Sequence, residues 1–154
     1  MLSDVELTAV FVPISPEDGA LVINEINYNS LNDYDSKDWV ELFNGTLESV
    51  DLEGWSISDD SDDNLFVLPD LSLQPGAYLI VSSDTLAFRS IHGGSSRIVG
   101  DLDFNFSNGG ELIRLFNSDE ILIDSVRYDD EDPWPIEPDG EGPTLELIHP
   151  TLDN

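Results

Sequence analysis

The sequence predicts an all-β domain: an antiparallel sandwich or barrel of about eight to ten short strands with at most one short helix. Apolar runs rich in β-branched and aromatic residues recur at intervals of roughly ten residues. Pro, Gly and Asn punctuate the intervals between them as turn residues do. The chain has 154 residues, of which 40% are hydrophobic, so it is long enough for one domain with a real core.

The first half of the chain contains a leading segment and four strand candidates, one of which is divided into two parts. Residues 1–19 are interpreted as a linker or an extra edge segment, and Val10-Phe11-Val12 is the apolar run within it. The folded domain is predicted over residues 20–154. Gly54 divides the third apolar region, which suggests one bent or bulged strand. The predicted strands in this half cover residues 21–28, 39–43, 50–52, 55–57 and 65–68.

A single helix is predicted after a central strand at 77–81, which is a continuous apolar run expected to be buried on both faces. Asp84 is suited to cap the first turn by accepting a backbone N–H. Leu86, Phe88 and Ile91 supply an apolar stripe, and the Gly-Gly pair that follows ends the helix.

The second half continues with extended segments joined by tight turns. In the segment 120–128, Leu122, Val126 and Tyr128 are predicted to share one face. Residues 129–143 form a long acidic loop. The predicted extended segments are 98–99, 102–106, 111–116, 120–128 and 144–148.

Charge excludes several classes of function. The chain has 33 acidic and 5 basic residues, for a formal net charge of −28. Phosphate contacts need clustered Lys and Arg, so no nucleic-acid partner and no anionic membrane surface is expected. No stretch approaches the ~20 apolar residues of a membrane-spanning helix, so membrane insertion is not expected. The absence of cysteine excludes disulfides and thiolate metal sites.

The first candidate cation site lies in the acidic segment 59–64. Asp60, Asp62 and Asn64 alternate like the first oxygen ligands of a calcium loop. No glycine follows, so an EF-hand is excluded. The alternative is a solvated hairpin turn that Asp59 caps, and charge runs favour that interpretation. No other cofactor is expected, and calcium would bind with an extracellular-type Kd of ~10⁻⁴–10⁻³ M.

A second acidic group precedes a tryptophan. Asp129, Asp130 and Asp132 are close together in sequence, and a bound cation would relieve their repulsion; a solvated loop is the alternative. Trp134 stands between two prolines. It is interpreted as a lid over one end of the sandwich or as an exposed platform on which a sugar stacks.

Catalytic motifs are weak. Glu25 and Glu41 are a conceivable carboxylate pair for glycoside hydrolysis, but acids in strands more often face solvent or accept backbone hydrogen bonds. His92 and His149 lie in unrelated loops and are weak candidates for zinc. No Gly-x-Ser-x-Gly elbow is present. The sequence therefore predicts that the protein is not an enzyme.

An ordered set of motifs resembles the lamin tail domain in its bacterial form, from about residue 21 to 154. No single motif is specific, whereas the set in this order is. The motifs are Asn24-Glu25-Ile26, Asp38-Trp39-Val40-Glu41-Leu42-Phe43-Asn44, Val50-Asp51-Leu52-Glu53-Gly54-Trp55, Leu73-Gln74-Pro75-Gly76-Ala77-Tyr78, Phe106-Ser107-Asn108-Gly109-Gly110-Glu111, Ile123-Asp124-Ser125-Val126-Arg127-Tyr128, Trp134-Pro135, Asp139-Gly140-Glu141-Gly142 and Leu145-Glu146-Leu147.

This resemblance implies an immunoglobulin-like antiparallel β-sandwich. It implies a non-catalytic interaction or accessory module of a secreted or surface-attached bacterial protein, located outside the cell or on its surface. Its partners would be neighbouring domains of a larger parent, another protein or an extracellular glycan. A calcium-stabilised carbohydrate-binding domain and a glycosidase are the alternatives. Bacterial members of the family continue with a Trp-containing segment after the Asp-Asn pair that corresponds to Asp153-Asn154 here. We therefore expect a missing closing strand, or an edge completed by Val10-Phe11-Val12 or by a partner chain.

Overall fold

The computed structural model describes residues 21–94 and 97–148 of the chain. Within these ranges it has one α-helix, one 3-10 turn at Asn32–Tyr34 and eleven strands, three of which have only two residues. The prediction of an all-β chain with one short helix is confirmed. The elements are β1 Leu21–Asn27, β2 Trp39–Asn44, β3 Val50–Asp51, β4 Ser56–Ser58, β5 Leu65–Val67, β6 Ser72–Leu73, β7 Tyr78–Ser82, α1 Thr85–His92, β8 Ile98–Gly100, β9 Glu111–Phe116, β10 Leu122–Tyr128 and β11 Leu145–Glu146.

The strands form two larger sheets and one small one. The five-stranded sheet has the order β11-β1-β2-β7-β8, the four-stranded sheet has the order β10-β9-β4-β5, and β3 pairs with β6. Every pair is antiparallel except β7 and β8, which run parallel. This pair is the exception within the predicted antiparallel sandwich. The cause is α1, which returns the chain to the end where β7 began, as a crossover between parallel strands requires.

Side chains from both larger sheets meet in one buried cluster, which makes the fold a sandwich. Leu42 and Leu79 come from the five-stranded sheet, and Ile57 and Leu115 come from the four-stranded sheet; each is fully buried. Leu102, Phe104 and Phe106 are also buried in this core. The segment that carries them was predicted to be extended, yet it contributes side chains to the core without forming a strand.

A bulge in β1 allows one strand to bury residues of both parities. Leu21 and Ile23 are odd-numbered, Ile26 and Tyr28 are even-numbered, and all four belong to the main core. Side chains of a regular strand alternate between faces, so such a set needs one extra residue. The register with β2 shifts between Ile23 and Glu25, which makes Asn24 the inserted residue.

The central strand β7 is buried on both faces, as predicted. Leu79 and Val81 belong to the main core, whereas Ile80 packs with Trp39 and Phe88 in a second cluster beneath α1. Aromatic rings of Trp39 and Phe88 meet edge to face at 5.5 Å between centroids. The helix therefore covers part of the outer face of the five-stranded sheet, over β2, β7 and β8.

The cap of α1 was predicted correctly and its apolar stripe was not. Asp84 Oδ1 accepts hydrogen bonds from the backbone N–H groups of Leu86 at 3.0 Å and Ala87 at 2.8 Å. Phe88 is buried, but Leu86 is 78% exposed and Ile91 is 38% exposed. A helix of only eight residues, Thr85–His92, places a single large side chain fully against the sheet.

Two further strand predictions need correction. Gly54 has a φ of +77°, and the chain around it forms two strands in different sheets, β3 and β4, in place of one bent strand. Leu122 is 50% exposed, whereas Val126 and Tyr128 are buried. A register shift between Leu122 and Asp124 turns Leu122 away from the face that the other two share.

Some expectations lie outside the described residues. They concern residues 1–19 with Val10-Phe11-Val12, residue His149 and the closing segment after it. The last described strand, β11, is shorter than the predicted 144–148. Within the described ranges, no helix is long and apolar enough to cross a membrane.

Candidate functional site

A concave surface lies where the two larger sheets end on the same side. We call it the edge groove. It has a volume of about 650 Å³ and lies between β1 and β11 of one sheet and β9 and β10 of the other. Its apolar lining includes Ile23, Ile26, Leu112, Val126, Trp134, Pro135, Leu145, Leu147 and Ile148.

Both strands beside the groove are edge strands. Within the described ranges β10 pairs only with β9, and β11 pairs only with β1. Each therefore leaves one row of backbone N–H and C=O groups without a neighbouring strand among the described residues. An apolar cleft bordered by such edges is suited to bind an extended peptide, since the backbone supplies hydrogen bonds and the cleft accepts alternate side chains.

A side chain links the two sheets at this edge. The register of Glu25 with Glu146 and Ile26 with Leu145 brings β11 beside only part of β1. Farther along β1, the backbone N–H of Ile23 donates to Asp124 Oδ2 at 2.8 Å across the space between the sheets. Sequence reasoning missed this role, because an aspartate inside a predicted strand carries no signal for a contact 101 residues away.

The rim of the groove carries charges of both signs. Glu25 accepts a hydrogen bond from the Thr144 hydroxyl, and burial raises the pKa of its carboxyl. Arg127 also lines the groove and donates to Asp60 at 3.2 Å. The rim is therefore polar around an apolar interior, as in other sites that bind protein segments.

The carboxylates of the first predicted cation site have partners within the protein. Arg114 reaches the loop, and its guanidinium donates to Asp62 Oδ1 at 2.8 Å and to the carbonyl oxygen of Asp59 at 2.6 Å. Asp60 pairs with Arg127. Asn64 is predicted to bind a cation through its amide oxygen. Its amide nitrogen, Nδ2, donates to Asp59 Oδ2 within the same loop at 2.7 Å.

Asp59 caps the turn of this loop, as the alternative interpretation predicted, because its Oδ1 accepts from the backbone N–H of Ser61 at 2.7 Å. Among the described residues, no group of three or more His, Asp or Glu side chains is arranged to hold a metal ion. Calcium binding by Asp60, Asp62 and Asn64 stays a prediction.

The second acidic group is a turn that presents Trp134 to the groove. Asp129 Oδ1 accepts from the backbone N–H of Glu131 at 3.0 Å, and the N–H of Trp134 donates to the carbonyl of Glu131 at 3.0 Å. Asp132 is exposed and Asp130 is partly exposed. Cation binding by Asp129, Asp130 and Asp132 also stays a prediction.

Trp134 is partly buried, packs against the main core and lines the groove. This position agrees with the interpretation of the side chain as a lid over the sandwich. A partly buried ring leaves less surface for sugar stacking than a fully exposed one. Stacking of a sugar on Trp134 stays a prediction.

The conceivable catalytic pair lies side by side on neighbouring strands. Glu25 of β1 is in register with Glu41 of β2 and also with Glu146 of β11. Glu41 Oε1 accepts from Asn24 Nδ2 at 3.0 Å. Burial raises the pKa of Glu25 and of Glu41, and the neighbouring negative charges raise both further. His92, the weak zinc candidate, stacks on Phe88 at 4.4 Å between ring centroids.

Two acids that had no sequence signal are Asp38, which is half-buried, and Glu111, which is buried. Burial raises the pKa of Asp38 to about 6, although its Oδ2 accepts from the backbone N–H of Phe106 at 2.8 Å. Burial, with a smaller contribution from the charges of Asp59 and Asp60, raises the pKa of Glu111 to about 7. Both carboxyls bind neighbouring backbone or side-chain groups, and neither lines the edge groove.

These sheets define a class of protein, the immunoglobulin-like all-β domain. The family model described as Lamin Tail Domain matches residues 15–130. The chain belongs to the lamin tail domain family. A search of curated proteins gave no match to the chain. Family membership indicates a non-enzymatic interaction module of immunoglobulin-like fold.

Proposed function

We propose that the protein is a non-catalytic interaction module of a secreted or surface-attached bacterial protein, and that it binds an extended, apolar segment of a partner protein in the edge groove. The observation that carries the proposal is the meeting of two open strand edges, β10 and β11, at an apolar cleft of about 650 Å³. An extended segment placed there gains backbone hydrogen bonds and buries alternate side chains.

The exposed apolar residues at the groove support a protein ligand over a glycan. Ile148 is 95% exposed and stands beside Leu147 at the end of β11. Large aliphatic side chains have no role in sugar stacking, whereas they are the usual contacts of an added strand. Trp134 then closes one end of the groove and limits the length of the bound segment.

The charge of the molecule supports the proposed location. A net charge of −28 produces self-repulsion that salt screens within ~8–10 Å, and this favours a salty medium outside the cell. The same charge supports a partner other than nucleic acid or an anionic membrane, because either would be repelled.

Selection from a random peptide library displayed on phage tests the binding proposal. We expect selected peptides to share alternating large apolar residues and to lose affinity for the variant Leu147→Lys. The matched control is Val67→Lys, because Val67 is a 56% exposed apolar residue on β5, the opposite edge strand of the four-stranded sheet. Equal loss of affinity in both variants, or no enrichment of peptides, would overturn the proposal.

An enzymatic role for Glu25 and Glu41 is tested separately. Purified protein is assayed on a panel of glycosides, and we expect no turnover above the level of Glu41→Gln. Turnover that Glu41→Gln abolishes would replace the interaction module with a hydrolase.

A further inference from the structure

The edge groove is only partly covered by the last strand of the domain. Strand β1 begins at Leu21, whereas β11 pairs with Glu25 and Ile26, and the N–H of Leu147 just after β11 donates to the carbonyl of Asn24 at 2.8 Å. In the described part of the chain, no strand pairs with Ile23 on that side, and its backbone N–H bonds to the side chain of Asp124 on β10. The uncovered stretch of β1 leads directly to the point where the chain enters the domain.

An apolar segment of the same chain is close enough to reach this place. Phe11 precedes Leu21 by ten residues, which span at most about 33–36 Å when extended. The connection contains Pro16-Glu17-Asp18-Gly19, a sequence with the residues that favour a tight turn. A turn there allows the segment to run back along the groove.

The composition of this segment matches the groove. Residues 7–12, Leu-Thr-Ala-Val-Phe-Val, carry no charge in a chain with 33 acidic residues. Their β-branched and aromatic side chains favour a strand. The family match begins at residue 15, so this segment lies outside the part that the family shares.

Two other occupants fit less well. A second copy carries the same net charge of −28 and would be repelled at close approach. Residues 149–154 contain a single large apolar side chain, Leu152, next to Asp153. Neither offers the uncharged apolar run that the groove requires.

We propose that Val10-Phe11-Val12 binds in the edge groove of its own domain and competes with the partner segment. The inference rests on the proposed function, since it names what regulates access to that same groove. A tethered segment competes at a millimolar effective concentration, so its affinity can be modest.

Disulfide trapping tests the occupant directly, because the chain has no cysteine of its own. The pair Phe11→Cys with Ser125→Cys joins the segment to the groove. In the control pair, Phe11→Cys is combined with Val67→Cys on β5, three strand spacings or about 14 Å away from β10 and within the same tether length.

We expect the groove pair to form an intramolecular disulfide several-fold faster than the control pair, with the product migrating as a monomer. Equal rates would overturn the inference. A disulfide-linked dimer would assign the groove to a second copy, and faster trapping of Leu152→Cys with Ser125→Cys would assign it to residues 149–154; either result overturns the inference as well.

Binding of a selected peptide separates this inference from the proposed function. The variant Phe11→Asp is expected to bind the peptide ~10-fold more tightly than the unchanged protein. This is the difference expected if the groove of the unchanged protein is free of residues 10–12 about a tenth of the time. Equal binding by both would contradict the inference while the proposed function stands. If the groove disulfide forms but no peptide is enriched from the library, the result would support binding of Val10-Phe11-Val12 in the groove and would overturn the proposed function.

Discussion

Two tyrosines at the centre of the core have the same burial and different hydrogen bonding. Tyr28 and Tyr128 are 0% and 1% exposed, and their rings stack at 4.5 Å between centroids. The Tyr128 hydroxyl donates to the carbonyl of Ser107 at 2.7 Å, whereas the Tyr28 hydroxyl has no hydrogen-bond partner among the described residues. Burial and the charges of Asp139, Asp130 and Asp129 raise the pKa of Tyr28 to about 12, so its hydroxyl stays protonated.

This difference predicts opposite results for one substitution at the two positions. Tyr128→Phe should lower the free energy of unfolding by about 1–2 kcal/mol, because the Ser107 carbonyl loses its donor. Tyr28→Phe should leave it unchanged or raise it by up to about 1 kcal/mol, because a buried hydroxyl without a partner is removed. Urea unfolding measures both. A loss at Tyr28→Phe as large as at Tyr128→Phe would contradict the assignment.

Glu111 predicts a pH dependence of stability. Its pKa in the folded protein is about 7, above the ordinary 4.5, because burial disfavours the charged carboxylate. The folded state therefore binds the proton more tightly than the unfolded state, so the free energy of unfolding falls as pH rises from about 4.5 to about 7. The raised pKa of Asp38 acts in the same direction.

Between pH 5 and pH 8, we expect the free energy of unfolding to decrease by less in Glu111→Gln than in the unchanged protein. The difference should be on the order of 2 kcal/mol in urea titrations at the two pH values. The control is Glu53→Gln, the same substitution at an exposed position. Stability that rises with pH over this range, or an equal effect of both substitutions, would count against the assignment.

At the scale of elements, the irregular features are the ones that the sequence did not predict. Period-two alternation identified the strands, yet it places Leu21 and Ile26 on opposite faces of β1. Both side chains lie in the core because the bulge at Asn24 inserts one residue between them. The groove formed because β10 and β11 end their sheets on the same side, which depends on contacts far apart in sequence. Local patterns carry no information on such pairings.

The parallel pair of β7 and β8 depends on one glycine. Gly100 has a φ of +145°, and a Cβ atom at that position would lie 2.0 Å from the carbonyl oxygen of Ser82. We expect Gly100→Ala to lower the free energy of unfolding by more than about 2 kcal/mol. Gly94→Ala is the control, since no atom lies within 4 Å of its added Cβ. Thermal unfolding compares the two, and a harmless Gly100→Ala would contradict the close approach of β8 to β7.

For the whole molecule, the charge of −28 predicts that salt stabilises the fold. Sodium chloride raised from about 0.05 M to about 0.5 M should raise the Tm, because screening weakens the repulsion among carboxylates. A Tm that falls or stays constant would show that repulsion contributes little.

Calcium and magnesium at equal concentration separate general screening from a specific site. We expect the same increase in Tm from both ions, because Asp60 and Asp62 already pair with Arg127 and Arg114. A larger effect of calcium that Asp62→Asn removes would establish the predicted cation site instead.

The sequence predicted the class of fold, the helix cap at Asp84 and the family, because alternation, turn residues and ordered motifs are all local signals. It singled out Trp134 as a lid or as a platform for a sugar, but it did not predict the groove that this side chain lines. The arginine partners of Asp60 and Asp62 were missed as well, since they come from strands more than fifty residues away. The groove at this edge arises from tertiary pairing.

Hydrogen–deuterium exchange of the full chain, with and without a selected peptide, tests the central claim most directly. If a bound segment adds to the open strand edges, backbone amides of β10 and of residues 145–148 become protected, while those of β5 exchange as before. Protection that falls on β5 or on the loop 59–64, with β10 and β11 unchanged, would contradict the account.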